Sequence, residues 1–224
     1  MRVVVRIGGS VVGSPIKAEL IGKYVDLLKE LKDKGHDVVA VVGGGSLARD
    51  FIRVAADLGL EEAHRDWAAI YVSRLFAQLF LLRLGEVGYK TVPVSLDAAE
   101  TYLQNGKVVV MGGLRPGMTT DAVAALIGER VHADLLIKGS NVDGIYTKDP
   151  NKYSDAEKLD KLKFDDLGMV FEANTHRAGI NQIIDPEAVK ILQRCKLRTI
   201  VVNGYDVKNL LAAVEGTQVG TLIE

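Results

Sequence analysis

Apolar and polar positions in this chain follow two rhythms. Short, largely apolar runs at 3–7, 38–42, 107–111, 135–138 and 199–202 read as strands, the first buried on both faces apart from Arg6, with 91–94 and 219–223 as further short strands. Between them the apolar spacing changes to that of helices. Pro15 opens one, with Ile16, Leu20, Tyr24, Leu27, Leu28 and Leu31 on one face, ending near Lys34-Gly35. Leu47, Phe51, Val54, Ala55 and Leu58 mark a second, stopped by Gly59. Asp66 is positioned to cap a long helix through Leu84 whose apolar positions are nearly continuous, as suits an oligomer interface or a core helix. Residues 121–127, 186–194 (opened by Asp185-Pro186) and 207–214 are helical by the same criterion. Asp143-Gly144 within 142–146 reads as a hairpin turn, and 151–184 shows no regular pattern. Alternating strands and helices predict a single domain, 1–224. It is α/β, a three-layer α/β/α sandwich with a largely parallel central sheet.

Two turns then stand out. Gly8-Gly9-Ser10 follows the first apolar run and Gly43-Gly44-Gly45-Ser46 follows the second. A strand that ends in glycine before a helix lets backbone N–H groups approach an anion, and the helix N-terminus favours negative charge. Gly112-Gly113 repeats the arrangement after 107–111, leading through Leu114, Arg115, Pro116, Gly117 and Met118 to Thr119, Thr120 and Asp121. A fourth segment runs from Lys138 through Ser140, Asn141, Asp143 and Tyr146 to Asp149-Pro150. In a parallel sheet the loops after the strands' C-terminal ends share one edge, where ligands bind. Backbone donors, cations, hydroxyls and a carboxylate on one edge suit phosphoryl transfer, which needs positioning and charge neutralisation more than a covalent nucleophile. Arg6, inside an apolar strand, needs an anionic partner. Arg49 lies one helical turn after the triple glycine, and Lys138 ends a buried strand. These three cations are the candidates to neutralise transferred charge.

Composition narrows the picture. Lys and Arg total 28 against 29 Asp and Glu, a net charge of −1, which gives no footprint for nucleic acid or an anionic membrane. The apolar stretch 75–84 is short for a bilayer span, so a cytoplasmic protein is expected. The one cysteine, Cys195, excludes a disulfide framework, and His36, His64, His132 and His176 show no ligand spacing, so no protein-held metal is expected. There is no phosphate loop ending in Lys-Ser/Thr, no Rossmann fingerprint and no nucleophile elbow.

Ile7-Gly8-Gly9-Ser10, Val42-Gly43-Gly44-Gly45, Thr119-Thr120-Asp121-Ala122 and Asn141-Val142-Asp143-Gly144-Ile145-Tyr146, in this order, resemble the signatures of the amino acid kinase superfamily, and within it archaeal-type uridylate (UMP) kinases. The likeness extends to the ending Gly220-Thr221-Leu222-Ile223. It implies transfer of the γ-phosphoryl group of ATP to UMP in pyrimidine nucleotide biosynthesis, with Mg2+, by a cytoplasmic homohexamer built as a trimer of dimers. By that resemblance Gly9, Ser10, Gly45 and Arg49 would hold the ATP phosphates, and Ser140, Asn141, Tyr146 and Asp149 the adenosine. Gly44, Asp66 and the loop Leu114, Arg115, Pro116, Gly117, Met118, Thr119 and Thr120 would hold UMP, with Asp66 at its ribose. Asp121 matches the aspartate that orients the catalytic cations.

The chain also departs from that pattern. Arg6 stands where bacterial relatives carry lysine. Leu114 and Met118 replace a threonine and a histidine, and Ala69 and Phe76 a glycine and an asparagine. All but the first fall in the acceptor half. Two alternatives therefore stay open at the sequence level: another small phosphate or carboxylate acceptor such as isopentenyl phosphate, or a non-catalytic nucleotide- or anion-binding homologue. Plainer roles stay open for single residues too: Asp66 and Asp121 as helix caps, Tyr146 as a packed hairpin residue, Asp149-Pro150 as a turn.

Overall fold

The structure, a computed structural model, describes residues 1–148, 150, 152–167 and 183–224. The elements run β1 (Arg2–Ile7), α1 (Gly9–Val12), α2 (Ala18–Asp33), β2 (Asp37–Val42), α3 (Gly45–Asp57), α4 (Glu62–Leu84), a 3-10 turn (Gly85–Val87), α5 (Leu96–Gln104), β3 (Val109–Met111), α6 (Thr120–Arg130) and β4 (Leu135–Ser140). Then come β5 (Ile145–Tyr146), β6 (Lys158–Leu159), β7 (Lys161–Leu162), α7 (Pro186–Cys195), β8 (Thr199–Asn203), α8 (Lys208–Val214) and β9 (Thr221–Ile223).

Seven strands form one sheet in the order β3-β2-β1-β4-β8-β9-β7, parallel except where β9 runs against β8. The strands are apolar on both faces because both faces are covered. Val3, Val5 and Ile7 of β1 join a core with Tyr24, Leu28 and Leu31 of α2, Phe76 and Phe80 of α4 and Leu210 of α8. Val4 points the other way, into a core with Val123 and Ile127 of α6 and Ala188 and Leu192 of α7. Arg6 shares the face of Val4, two residues on, so its charge points toward α6.

Several boundaries differ from the sequence expectation, each for a local reason. The first long helix starts at Ala18, because a Gly13–Ile16 bridge closes a turn across Pro15. Residues 91–94 form no strand: Pro93 has no N–H to give, and pairing passes to Gly88 and Val108, with Tyr89 N–H donating to the Val108 carbonyl at 2.8 Å. The chain turns instead at Ser95, whose hydroxyl accepts from Ala98 N–H and starts α5. Asp66 does not cap α4, which begins four residues earlier at Glu62, since Glu62–Arg65 are good enough helix formers to extend it backwards. Asp121 does not cap α6; Thr119 does, accepting from Ala122 N–H at 3.1 Å. Asp143-Gly144 makes no two-residue hairpin. β5 pairs with β6, and Ile145 N–H donates to Thr221 Oγ1 at 2.7 Å, so distant partners override the local turn. β6 and β7 lie in the segment expected to be irregular, 151–184, of which 151 and 168–182 fall outside the described residues.

Candidate phosphate-transfer site

Because β2, β1 and β4 are parallel neighbours, their C-terminal ends deliver Gly43-Gly44-Gly45, Gly8-Gly9-Ser10 and Gly139-Ser140-Asn141 side by side. Gly8 N–H donates to Gly139 O at 3.0 Å and Gly43 N–H to Ile7 O at 3.1 Å, which ties the three turns together. They are as close as backbones allow. A Cβ on Gly9 would run into the backbone of Gly45 and stand 2.9 Å from Gly43 C. Gly45 sits at φ 64°, and a Cβ there would lie 2.6 Å from Gly13 O.

The turns form a cavity of about 240 Å³, lined also by Arg6, Arg49, Thr120, Asp121 and Lys138. Register puts Arg6 opposite Lys138 on adjacent strands, two like charges on one face. Asp121, in the first turn of α6, reconciles them. Its carboxylate pairs with Arg6 Nε at 2.6 Å, without hydrogen-bond alignment, and accepts from Lys138 Nζ. Arg6 and Asp121 side chains are 13% exposed and Lys138 9%, so the cluster is a buried floor with one more positive than negative charge. Burial by itself would push the Asp121 carboxyl up. Arg6 and then Lys138 outweigh it and hold the group below its usual range. Burial pulls Lys138 down, only partly offset by Asp121, and Arg6 adds to the depression. Arg6 also donates to Ile7 O at 2.7 Å and to Thr120 Oγ1 at 2.9 Å, which leaves the Thr120 hydroxyl proton free for an anion. Arg49 is the exposed cation of the rim, 3.4 Å from Ser14 Oγ.

Of the sequence candidates, Arg6, Gly9, Ser10, Gly44, Gly45, Arg49, Thr120, Asp121, Lys138, Ser140 and Asn141 thus line one cavity. Gly44 packs on α4, where a Cβ would meet Val72 at 3.4 Å. Others lie beside the cavity rather than in its wall. Asp66 accepts from Gly117 N–H at 2.7 Å, which anchors the 112–119 loop. Leu114 and Met118 pack partly on the α6 core, Arg115 and Gly117 are exposed, and Pro116 is half-buried. Thr119 donates its hydroxyl to the Asp185 carboxylate and accepts from Ala122 N–H, so both roles of that hydroxyl are used. Tyr146 donates to Asp143 Oδ1 at 2.6 Å, away from the cavity wall. Asp149 lies outside the described residues.

The structure also adds residues that sequence reading did not select. Tyr24, buried under the site, donates from its hydroxyl to Gly204 O at 2.8 Å; it reads in sequence as one more apolar position of α2. Asp185 meets Thr119 across 66 residues, a pairing no local signal announces. Arg74 did carry a signal, a guanidinium inside a nearly continuous apolar helix, of the kind that singled out Arg6.

Comparison with known proteins agrees with this architecture. Residues 1–203 match the model of the amino acid kinase family. A uridylate kinase of Methanocaldococcus jannaschii is 44% identical over the full length of both chains. One of Methanobrevibacter smithii is 39% identical over all of this chain and 99% of the relative. The crystal structure of uridylate kinase from Archaeoglobus fulgidus superposes with a TM-score of 0.91 at 38% identity, covering both chains fully. UMP kinase from Bacillus anthracis, at 20% identity, shares the fold with a TM-score of 0.83, covering all of this chain and 95% of that one. The strand-end glycines, the buried Arg6–Asp121–Lys138 floor and this full-length likeness place the chain in the amino acid kinase family.

Proposed function

We infer that this chain transfers the γ-phosphoryl group of ATP to UMP, giving UDP. The observation that carries the reading is the cavity in which three glycine turns meet two buried cations, a rim arginine and a single carboxylate. Phosphoryl transfer gathers negative charge on the moving group, and a preorganised cationic floor with backbone donors stabilises that charge without reorganisation. At about 240 Å³ the cavity is smaller than the ~300–1,000 Å³ of sites that enclose a whole ligand. It suits the phosphates, with both nucleosides outside it.

In this reading Gly9, Ser10, Gly45 and Arg49 hold the donor phosphates, and Ser140, Asn141, Tyr146 and Asp149 lie toward the adenosine. Gly44, Asp66 and the loop 114–120 hold UMP. Arg6, Arg49 and Lys138 neutralise the transferred charge, and Asp121 keeps Arg6 and Lys138 aimed. Thr120, whose proton is free, is better placed than Thr119 to donate to the acceptor phosphate. Among the described residues Asp121 is the one acidic side chain in the cavity wall, and it is already paired with two cations, so the donor set suits Mg2+ held mainly by the ATP phosphates. When bound, Mg2+ neutralises phosphate charge. The wider proposal is one catalytic domain working in the cytoplasm, in pyrimidine nucleotide synthesis. It assembles as a homo-oligomer, a hexamer of three dimers, through apolar stripes that α3 and α4 turn outward.

A coupled assay for ADP with UMP, CMP, isopentenyl phosphate, carbamate and acyl-amino acids tests the acceptor. UDP formation with UMP as the preferred acceptor is expected; ADP release with another acceptor and none with UMP overturns the reading. Arg49→Ala should keep the fold, because Arg49 is exposed, and lower kcat/KM by on the order of 2–4 kcal/mol of transition-state stabilisation.

A further inference from the structure

The 112–119 loop is held to α4 through its main chain. Ser73 Oγ accepts from Gly113 N–H at 2.8 Å while donating to Ile70 O at 2.7 Å. Arg74 spreads its guanidinium over the next two carbonyls, Nε to Gly113 O at 2.9 Å and Nη2 to Leu114 O at 3.0 Å. Eight residues earlier on the same helix, Asp66 takes Gly117 N–H. Four backbone groups of the loop therefore end on three consecutive turns of one helix. Between the two anchor points lie only Arg115 and Pro116. The side chains of Leu114 and Met118 take no part in these anchors.

We propose that Arg74 is a positioning residue for the phosphate acceptor: it fixes the path of the 113–118 backbone, and through it the acceptor affinity, without touching either substrate. The proposal rests on the UMP reading of this loop. A planar fork with donors at fixed angles matches two successive carbonyls in a way a lysine ammonium does not. The Trp67 ring packs against the Arg74 guanidinium, with the ring centroid 5.7 Å from it. Without Arg74 both carbonyls lose a charged donor, and the loop keeps Ser73 at one end and Asp66 at the other with slack between. The donor turns do not feel the change, because none of their hydrogen bonds passes through Arg74.

The test is steady-state kinetics of wild type, Arg74→Lys and Arg74→Ala with UMP and ATP varied separately. KM for UMP should rise about tenfold or more in Arg74→Ala, the order set by losing a charged hydrogen bond, with KM for ATP within about twofold. Arg74→Lys should fall between wild type and Arg74→Ala. Millimolar guanidinium chloride should return part of the lost UMP affinity to Arg74→Ala and leave wild type unchanged. An unchanged KM for UMP overturns the proposal. So does a parallel loss of UMP and ATP affinity with no rescue by guanidinium, which would make Arg74 a stability residue. If Arg74→Ala does not fold, the same split is read from Arg74→Lys. A wild-type enzyme that turns over another acceptor and not UMP overturns the functional reading instead, which separates the two failures.

Discussion

At the scale of single residues, the informative group is Asp121. It is the one negative charge between two cations in a buried floor, so it sets both the site's electrostatics and a local stability term. Asp121→Asn removes that charge and leaves Arg6 and Lys138 facing each other out of water, at an expected cost of about 3–5 kcal/mol in urea unfolding at pH 7, alongside loss of turnover. The pH dependence follows from the same pairing. A carboxyl held below its ordinary value of 3.8 lends stability that is complete above that value and is lost as pH falls through the lower folded value. Wild type should therefore lose stability relative to Asp121→Asn on acidification below about pH 4, and the two unfolding curves should converge there. A gap that stays constant from pH 7 to pH 3 would show that folding does not lower the affinity of this carboxyl for its proton. Arg6 and Lys138 were legible as charges set in apolar strands, and Asp121 as the acid that ends a donor-rich loop at a helix start. Their mutual contact was not, because it depends on register between β1 and β4 and on where α6 begins.

At the scale of elements, legibility followed the range of the interaction. Asp185-Pro186 opens α7 as expected because the cap is local: Asp185 Oδ1 accepts from Glu187 N–H at 2.9 Å and Ala188 N–H at 3.1 Å. The Ser95 cap of α5 is equally local, and Pro93 keeps 91–94 from the strand their apolar pattern predicts. Asp66 does not make the helix cap that the sequence suggests; it takes Gly117 N–H instead, 51 residues away. The glycine turns were legible from sequence, yet not the reason that binds them: α1 and α3 begin against each other with no room for a side chain. Gly9→Ala should accordingly lower the melting temperature and abolish nucleotide-induced stabilisation. Gly22→Ala, mid-helix in α2 with nothing within 4 Å of the new methyl, should raise stability by roughly 0.5–1 kcal/mol and leave kinetics unchanged. Differential scanning fluorimetry with and without ATP distinguishes the two.

At the scale of the whole molecule, the long helix faces two ways. One side of α4 buries Phe76, Phe80 and Leu84 in the core, and the other leaves Tyr71, Leu75, Leu79 and Leu82 at 44–70% exposure. Phe51, Val54 and Leu58 make a matching outward stripe on α3. Glu62–Val87 is the one segment among the described residues long and apolar enough to cross a membrane by length and composition. Its inner side, however, is committed to the sheet. Outward stripes of this kind are what self-association would cover. Leu75→Glu with Leu79→Glu should reduce the species seen in sedimentation velocity to a smaller one. An unchanged sedimentation coefficient would exclude this face as the contact. The sequence showed that the helix was apolar all round but not which positions are outward, since that depends on how α4 lies across the sheet.

The placement of Trp67 has a practical consequence. It is the sole tryptophan of the chain, and it rests over the guanidinium that holds the 113–118 backbone. Intrinsic emission excited at the indole edge is therefore a label-free optical gauge already built in beside that loop, with no second indole to dilute it. Its colour and quenching track the surroundings of one loop, and under the proposed reading of that loop stopped flow would time acceptor arrival separately from the donor, in the unmodified protein.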